Sequence, residues 1–397
     1  MSMVTQGTIV GSMNAEIVRK AFVQHFSEPP ECTVRAPGRI NLIGEHTDYN
    51  AGFVLPAAIE QSIWLAAGRR TDGRFAFWAH DLEAFFITDH QQVVFQEQYP
   101  WANYLLGVVS EARQEGLVFG GLNLAFGGNV PLGAGLSSSA ALESGALFAL
   151  NELYRLGLSP MDIVRLAQRA ENNFVGMQCG IMDMFASVMG KANAVVRLDC
   201  RDLSYQYFPF EPTDFSLVLF DSGVKHVLVD SAYNTRRMEC ASGVAVLKTF
   251  DPTITALRDV SLDLLMQHKA QLTDAVFKRC QYVVEEMLRV EKACTALQKS
   301  DFETLGRLMF QTHDGLNCLY EVSIPEINFL VETARHHHAT GARMMGGGFG
   351  GCTLNLVKTH AMNAFVAAVT HDYKNTWGIN LKTYPVRLAT GTHLVEQ

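Results

Sequence analysis

The sequence predicts an α+β protein of two domains, and three observations carry that expectation. Its 397 residues exceed what one core ordinarily organises. Apolar residues make up 48% and charged residues 18%, enough for buried cores and too apolar for a disordered chain. Strand-like and helix-like segments are mixed, without the regular β-α-β alternation of a doubly wound sheet. The Pro-containing stretch 207–212 marks the expected boundary, giving domains 14–209 and 210–397 behind a loose leader, 1–13.

The leader is polar and rich in Gly, Ser and Thr, and lacks the basic and long apolar regions of a secretory signal. Met13 is a candidate for the first residue of the folded chain. A helix follows over 14–26, with Ile17, Val18, Ala21, Phe22 and Phe26 on one face. Short strands are expected at 33–36 and 52–56, and two longer, partly alternating runs at 61–68 and 74–79. A helix over 101–115 carries Trp101, Tyr104, Leu105, Val108 and Val109 on one side. The strand 122–126 leads into a Gly- and Ser-rich loop, 127–139. A helix behind that loop runs to 156, another covers 160–175, and strands follow at 194–198 and 216–220. The second half is mainly helical, over 231–248, 273–298, 301–312 and 325–338. A glycine run at 346–351, a strand at 353–357, a helix at 360–373 and a strand at 381–388 close the chain.

Composition excludes several roles. A net charge of −8 speaks against nucleic acid as a partner, since duplex binding rests on a basic footprint. No apolar run reaches the ~18 residues of a membrane span, and no basic amphipathic helix or lipidation motif points to a membrane surface. The eight cysteines are scattered without a C-x-x-C pair. That pattern predicts reduced thiols in a cytoplasmic protein, with no zinc site and no disulfide framework.

Four clusters could carry chemistry. In the loop 127–139, glycines let backbone N–H groups point inward, and the following helix start adds partial positive charge. The loop is neither a Walker A motif nor a Rossmann fingerprint. A phosphate cradle and an ordinary serine-capped turn both satisfy it, and Ser139 could cap the helix or ligate a metal. The segment 39–50 packs Arg39, Glu45, His46, Asp48 and Asn50 into a dozen residues. Carboxylates and an imidazole converging from one loop can bind vicinal hydroxyls, as a sugar requires; a solvated polar turn is the alternative. Glu171 and Asp183 are two carboxylates that suit Mg²⁺ binding and proton abstraction respectively, although Asp183 could equally cap a helix beginning at Met184. The glycine run 346–351 suits close backbone approach to a nucleotide or to the serine loop, or else a flexible surface loop. Asn234, Arg236 and Arg237 are expected on a mainly solvated helix face. His336, His337 and His338 cannot converge on one ion, because consecutive helical residues point ~100° apart; they suit a helix C-terminus.

Together these segments resemble the galactokinases among the GHMP small-molecule kinases. The run from Ala36 to Asn50 is similar to the galactokinase signature almost residue for residue, and Pro131 to Ala141 to the family's ATP-binding motif. Arg343 to Gly351 resembles its third, Gly-rich motif; Cys179 to Asp183 and Ser231 to Arg237 also match. The resemblance implies a two-domain GHMP kinase fold, with an N-terminal domain like ribosomal protein S5 and the active site in the interdomain cleft. It implies transfer of the γ-phosphoryl group of ATP to O1 of α-D-galactose, the first committed step of galactose catabolism. By position, Asp183 resembles the catalytic base and Arg39 its electrostatic partner. Glu45, His46, Thr47, Asp48, Gly180, Asp183 and Tyr233 resemble sugar contacts. Gly133, Ala134, Gly135, Leu136, Ser137, Ser138 and Ser139 would hold the ATP phosphates, and Ser139 and Glu171 a Mg²⁺ ion. The implied partners are D-galactose and ATP, with no obligate protein partner. Two alternatives follow the same motifs: a kinase for a neighbouring sugar such as N-acetylgalactosamine or arabinose, and a sugar- and ATP-binding sensor without turnover. Two positions depart from the family: Met184, where Gln usually follows the Asp, and Cys318-Leu319, where an Asp pair often stands.

Overall fold

The computed structural model describes residues 13–131, 135–225 and 229–396. The strands in chain order begin with β1 (Cys32–Asn41), β2 (Phe53–Val54), β3 (Pro56–Arg70), β4 (Phe75–Ala79), β5 (Ala84–Thr88) and β6 (Gly121–Gly128). They continue with β7 (Ala194–Asp199), β8 (Tyr205–Pro209), β9 (Phe215–Lys225), β10 (Gly341–Met344), β11 (Gly350–Lys358), β12 (Lys382–Val386) and β13 (His393–Leu394).

The first sheet has the order β13-β1-β3-β6-β4-β5, antiparallel except for the parallel pair β4 and β6. Its two faces are both covered. Helix Ala15–Phe26 packs Val18 and Phe22 against Ala66 and Ala125, where small side chains allow close approach. Asn14 caps that helix through Ile17 N–H, and Met13 packs beside it, against Gly127. Helices Ala102–Gln114 and Ser138–Tyr154 fill the other face. Burial on both faces explains why β1 reads as a short strand in the sequence but runs for ten residues: its alternation is erased. β3 extends the expected segment 61–68 into one strand of 15 residues for the same reason, while the expected strand 52–56 is cut to β2 at 53–54.

The second sheet, β10-β11-β9-β12, is wholly antiparallel. Along β9, Leu217 and Leu219 enter the larger core with Leu305 and Met309 of helix Phe302–Cys318. The alternate residues Val218 and Phe220 enter a second core with Leu330 and Tyr373 from helices Pro325–His336 and Met362–Trp377. A small third sheet joins β2, β7 and β8. Strands β5, β8, β10 and β13 are additions to the sequence-based expectation; β5 and β8 are half-exposed edges that lack a clear apolar period. The expected helix 160–175 ends at Arg169 and continues as a π-helical turn, Ala170–Val175. Pro160 stands in the first turn behind a Ser159–Asp162 capping box. Helix Phe302–Cys318 runs six residues past its expected end. His336 ends its helix, and His337 Nε2 pairs with Asp372 at 2.8 Å, so the three histidines do not converge. Among the described residues, no helix is long and apolar enough to cross a membrane.

Candidate active site

Arg39 lies on β1, and its backbone N–H donates to the Leu136 carbonyl at 3.1 Å, which docks the serine loop onto that strand. A side chain at position 38 would collide with that carbonyl, at 2.7 Å, so Gly38 is required for the approach. The Arg39 guanidinium grips Asp183 with both arms, Nε to Oδ1 at 2.8 Å and Nη2 to Oδ2 at 2.9 Å, and donates through Nη1 to the Gly135 carbonyl. Ser137 Oγ donates to the same Asp183 carboxylate. Burial works against the charge of Arg39, but Asp183 and Glu45 outweigh it and hold its pKa up. Arg39 is 6% exposed and Asp183 26%, so the carboxylate is the member of the pair open to a reactant.

Asp183 stands in the first turn of helix Met182–Met189, where Ile181 occupies the cap position and no side chain caps the turn. Its oxygens are directed at Arg39 and Ser137, not at the helix backbone. Met184 is buried in the core, where a Gln side chain would have no water to bind.

Ser137 adopts φ 59°, in the left-handed region, at the start of helix Ser138–Tyr154. A strained serine that gives its hydroxyl to Asp183 rather than to the helix cap is the kind of outlier that marks a working site. Ser139, which the sequence left between capping and metal binding, donates Oγ to Glu171 Oε1 at 2.8 Å. The first helical turn carries no acidic side chain of its own, and its N–H groups without intrahelical partners suit an anion. Gly133 and Ala134 lie outside the described residues.

Glu171 sits in the π-helical turn, whose widened backbone turns it toward Ser139. Burial raises its pKa to about 7; the Ser139 hydrogen bond opposes the rise and Asp183 adds to it. Glu143 of helix Ser138–Tyr154 lies against it, fully buried, and its one side-chain neighbour for hydrogen bonding among the described residues is the Glu171 carboxyl. Burial, and then the neighbouring Glu171, push its pKa well up.

The loop after β1 forms the next wall. Glu45 is buried and accepts from Arg343 Nη2 at 2.8 Å and from Gly346 N–H at 2.9 Å. Burial alone would raise its pKa, but Arg343 and Arg39 overcome that and hold it below the usual range. Arg343 is wholly buried and also donates to the carbonyls of Leu42 and Asn41. His46 has φ 63°, with its carbonyl held by Asn50 Nδ2 at 2.8 Å. Asp48 is pushed up to about 6, first by burial and then by Asp183 and Glu45, against the Tyr49 N–H. Gly180 is where Asp48 passes: a methyl group there would lie 1.7 Å from Asp48 Oδ2. The Tyr233 ring stands 5.5 Å from His46 and 5.6 Å from Tyr49.

Thr47 departs from the expected sugar contacts. It is fully buried, and its hydroxyl lies 2.8 Å from the Gly44 carbonyl and 2.6 Å from that of Phe53. It shapes the loop from inside. Arg236 and Arg237 depart from the expected solvated face: Arg236 donates to the carbonyls of Tyr320 and Glu321, and Arg237 to that of Gln178. The glycine run is not a free surface loop, since Gly346 lies against Gly135 and bonds Glu45.

Three contributors carried no role in the sequence. Arg343 stood inside a recognised motif, but its partner is 298 residues away. Glu286 of helix Asp274–Gln298 anchors the loop through Gly44 N–H at 2.7 Å and reads as an ordinary helical glutamate. Glu143 falls among the residues Ala140–Leu147 of a helix that is mostly apolar there, and that was its only signal.

Known proteins place this geometry in a family. The galactokinase galactose-binding signature matches residues 20–69, the GHMP kinase N-terminal domain 103–191 and the GHMP kinase C-terminal domain 293–375. The chain is 42% identical over 377 residues to a galactokinase of Roseiflexus sp. (strain RS-1), covering 94% of this chain and 95% of that protein. It superposes on the galactose-bound galactokinase of Lactococcus lactis with a TM-score of 0.92 and 31% identity, covering 95% of this chain and 99% of that one. A mevalonate kinase of 16% identity shares the fold alone, at a TM-score of 0.62 over 90% of this chain and 98% of that one.

Proposed function

Because the chain belongs to the galactokinase family of the GHMP kinases, we infer that its site transfers the γ-phosphoryl group of ATP to O1 of α-D-galactose, giving galactose 1-phosphate and ADP. The observation that carries this reading is the Arg39–Asp183 pair, bonded on one side to Ser137 of the Gly- and Ser-rich loop. Glu45 and Asp48 lie near enough to act on the Arg39 charge.

Glu45, His46, Asp48 and Tyr233 bind and orient the sugar, and Gly180 leaves room for Asp48. The backbone of 133–139 and the first turn of the following helix hold the phosphates. Asp183 accepts the O1 proton as the O1–phosphorus bond forms and the bond to the ADP oxygen breaks. Arg39 fixes the carboxylate and stabilises charge on the transferring group. The transition state of phosphoryl transfer is loose, so the nucleophile needs little activation, and positioning with electrostatics supplies most of the rate.

A Mg²⁺ ion fits the residues present. Ser139 Oγ and the Glu171 carboxylate are adjacent hard oxygen donors. Among the described residues, no three Asp, Glu, His or Cys side chains are arranged to hold an ion by themselves. A cation here would rest on Ser139, Glu171 and nucleotide oxygens, the usual preference of Mg²⁺. When bound, it would neutralise charge on the β- and γ-phosphates.

The domain division at 209/210 falls between β8 and β9, and we keep it as the boundary of the two lobes. A cytoplasmic location suits the need for ATP and the eight free cysteines. A coupled ADP-release assay with galactose, glucose, arabinose and N-acetylgalactosamine tests the assignment. Galactose is expected to be turned over and glucose to be very poor, since a site that bonds an axial hydroxyl leaves buried groups unpaired when it moves. Comparable catalytic efficiencies for glucose and galactose would reject the assignment.

A further inference from the structure

One helix from the second half of the chain grips the backbone of the loop after β1 at two neighbouring points. Helix Asp274–Gln298 carries Tyr282, Glu286 and Val290 four residues apart, on one face. The Tyr282 hydroxyl donates to the Glu45 carbonyl at 3.1 Å, and Glu286 Oε1 accepts from Gly44 N–H at 2.7 Å. The partners are 237 and 242 residues apart in the chain. Val290 closes against Gly44, where an added methyl group would lie 3.1 Å from its side chain. Each bond has a fixed direction, because a carbonyl only accepts and an N–H only donates. Tyr282 and Glu286 are both fully buried, so water cannot stand in for either.

The loop needs such a grip. His46 stands in the left-handed region at φ 63°, a conformation that persists only where the surroundings over-determine it. Thr47 Oγ1 lies 2.8 Å from the Gly44 carbonyl, and Asn50 Nδ2 donates to the His46 carbonyl at 2.8 Å. Those two contacts are made within the loop and travel with it. The contacts of Tyr282 and Glu286 tie the loop to a helix of 25 residues. Glu286 is itself fixed: Arg289 Nε donates to its Oε2 at 2.6 Å, and Thr312 Oγ1 lies 3.1 and 3.0 Å from its two oxygens. The Glu45 side chain leaves the backbone between the two grips and is met by Arg343 and by Gly346 N–H. Backbone and carboxylate of Glu45 are thus held from different elements of the second half of the chain.

We propose that Tyr282 and Glu286 are positioning residues for galactose recognition, which fix the Gly44–Glu45 backbone and with it the placement of the Glu45 carboxylate and the adjoining His46 ring. The proposal rests on the reading of Glu45 and His46 as sugar contacts. Both residues act through the backbone of the loop. Their effect therefore falls on galactose affinity, and not on ATP binding or on proton transfer to Asp183.

The test uses the full chain as wild type, Tyr282→Phe, Glu286→Gln and Thr312→Val, with steady-state kinetics, calorimetric galactose binding and a melting temperature for each. Tyr282→Phe keeps the ring and loses only the bond to Glu45. Its galactose KM and dissociation constant are expected to rise about tenfold, the scale of one lost hydrogen bond, with the ATP KM and the kcat at saturating galactose unchanged. Glu286→Gln leaves one oxygen where Gly44 N–H and Arg289 Nε each met their own, and should raise the galactose KM at least as much. Thr312→Val removes a hydroxyl from Glu286 without touching the loop. It is expected to lower the melting temperature and to leave the galactose KM unchanged. A wild-type galactose KM in Tyr282→Phe, or in a folded Glu286→Gln, would overturn the proposal, whatever the melting temperatures. So would an equal rise in Thr312→Val, or an ATP KM that rises in step, since either marks a general loosening of the fold. If Glu286→Gln does not fold, Tyr282→Phe decides. Absence of galactose phosphorylation by the wild type would strike the functional reading itself, and with it the proposal.

Discussion

Arg343, on β10 of the second sheet, reaches Glu45 in the loop after β1 and bonds it at 2.8 Å while both are buried. The same guanidinium takes the carbonyls of Leu42 and Asn41, so one side chain sets both the backbone and the carboxylate of the sugar loop. Such a fork cannot be reproduced by an ammonium group.

Arg343→Met is therefore expected to leave Glu45 charged, buried and unpaired, costing about 3–5 kcal/mol of stability. Arg343→Lys should recover part of that stability while the galactose KM stays raised at least tenfold, because the geometry of Glu45 is lost. Chemical denaturation and steady-state kinetics on both variants check this. A wild-type galactose KM in Arg343→Lys would show that the loop is set by other contacts.

Asp183→Asn and Arg39→Ala are each expected to abolish most turnover while galactose and ATP binding stay measurable by calorimetry. Loss of a general base should cost about 10²–10⁴-fold, and loss of the charge on Arg39 a similar factor. The double variant should be little worse than either, since the pair acts as a unit. Near-normal turnover with a lowered melting temperature would reduce the pair to a structural tie.

Asp48 gives a pH dependence with a definite sign. Its carboxyl is raised from 3.8 to about 6 by burial and by Asp183 and Glu45, so the folded state holds its proton more tightly than the unfolded chain. The stability this contributes is full below pH ~4 and is lost as pH rises through ~6. Asp48→Asn should accordingly be more stable than wild type at pH 8, by up to about 3 kcal/mol, with the gap closing by pH 4. Its galactose KM should rise at the same time. Equal stabilities of the two proteins at pH 8 would remove the burial argument.

Glu171→Ala is expected to raise the Mg²⁺ concentration needed for half-maximal turnover and to cut turnover strongly, with galactose affinity little changed. Glu171 would supply one of the protein oxygens that hold the ion, so its removal should weaken Mg²⁺ binding. Titrating Mg²⁺ at fixed substrates, alongside calorimetric galactose binding, separates the two effects. An unchanged Mg²⁺ requirement would mean that Glu171 serves only to position Ser139.

What the sequence determined by itself was local. The mixture of strand and helix patterns, the loop 127–139, the glycine run 346–351 and the polar segment 39–50 all lie within a few turns of chain. Their residue types state their chemistry wherever the chain goes. The tertiary structure alone decided which of these groups meet. Arg39 and Asp183 are 144 residues apart, and Glu45 and Arg343 are 298 apart; no periodicity encodes such distances. It also separated side chains that look alike in one loop. Thr47 turns inward to the carbonyls of Gly44 and Phe53, while Asp48 beside it turns toward Gly180, because a left-handed residue at His46 and a 3-10 turn at 48–50 redirect successive side chains. Burial supplied the rest. Glu143 and Glu286 look like ordinary helical glutamates until packing removes water from them, and only then does their choice of partners acquire a cost.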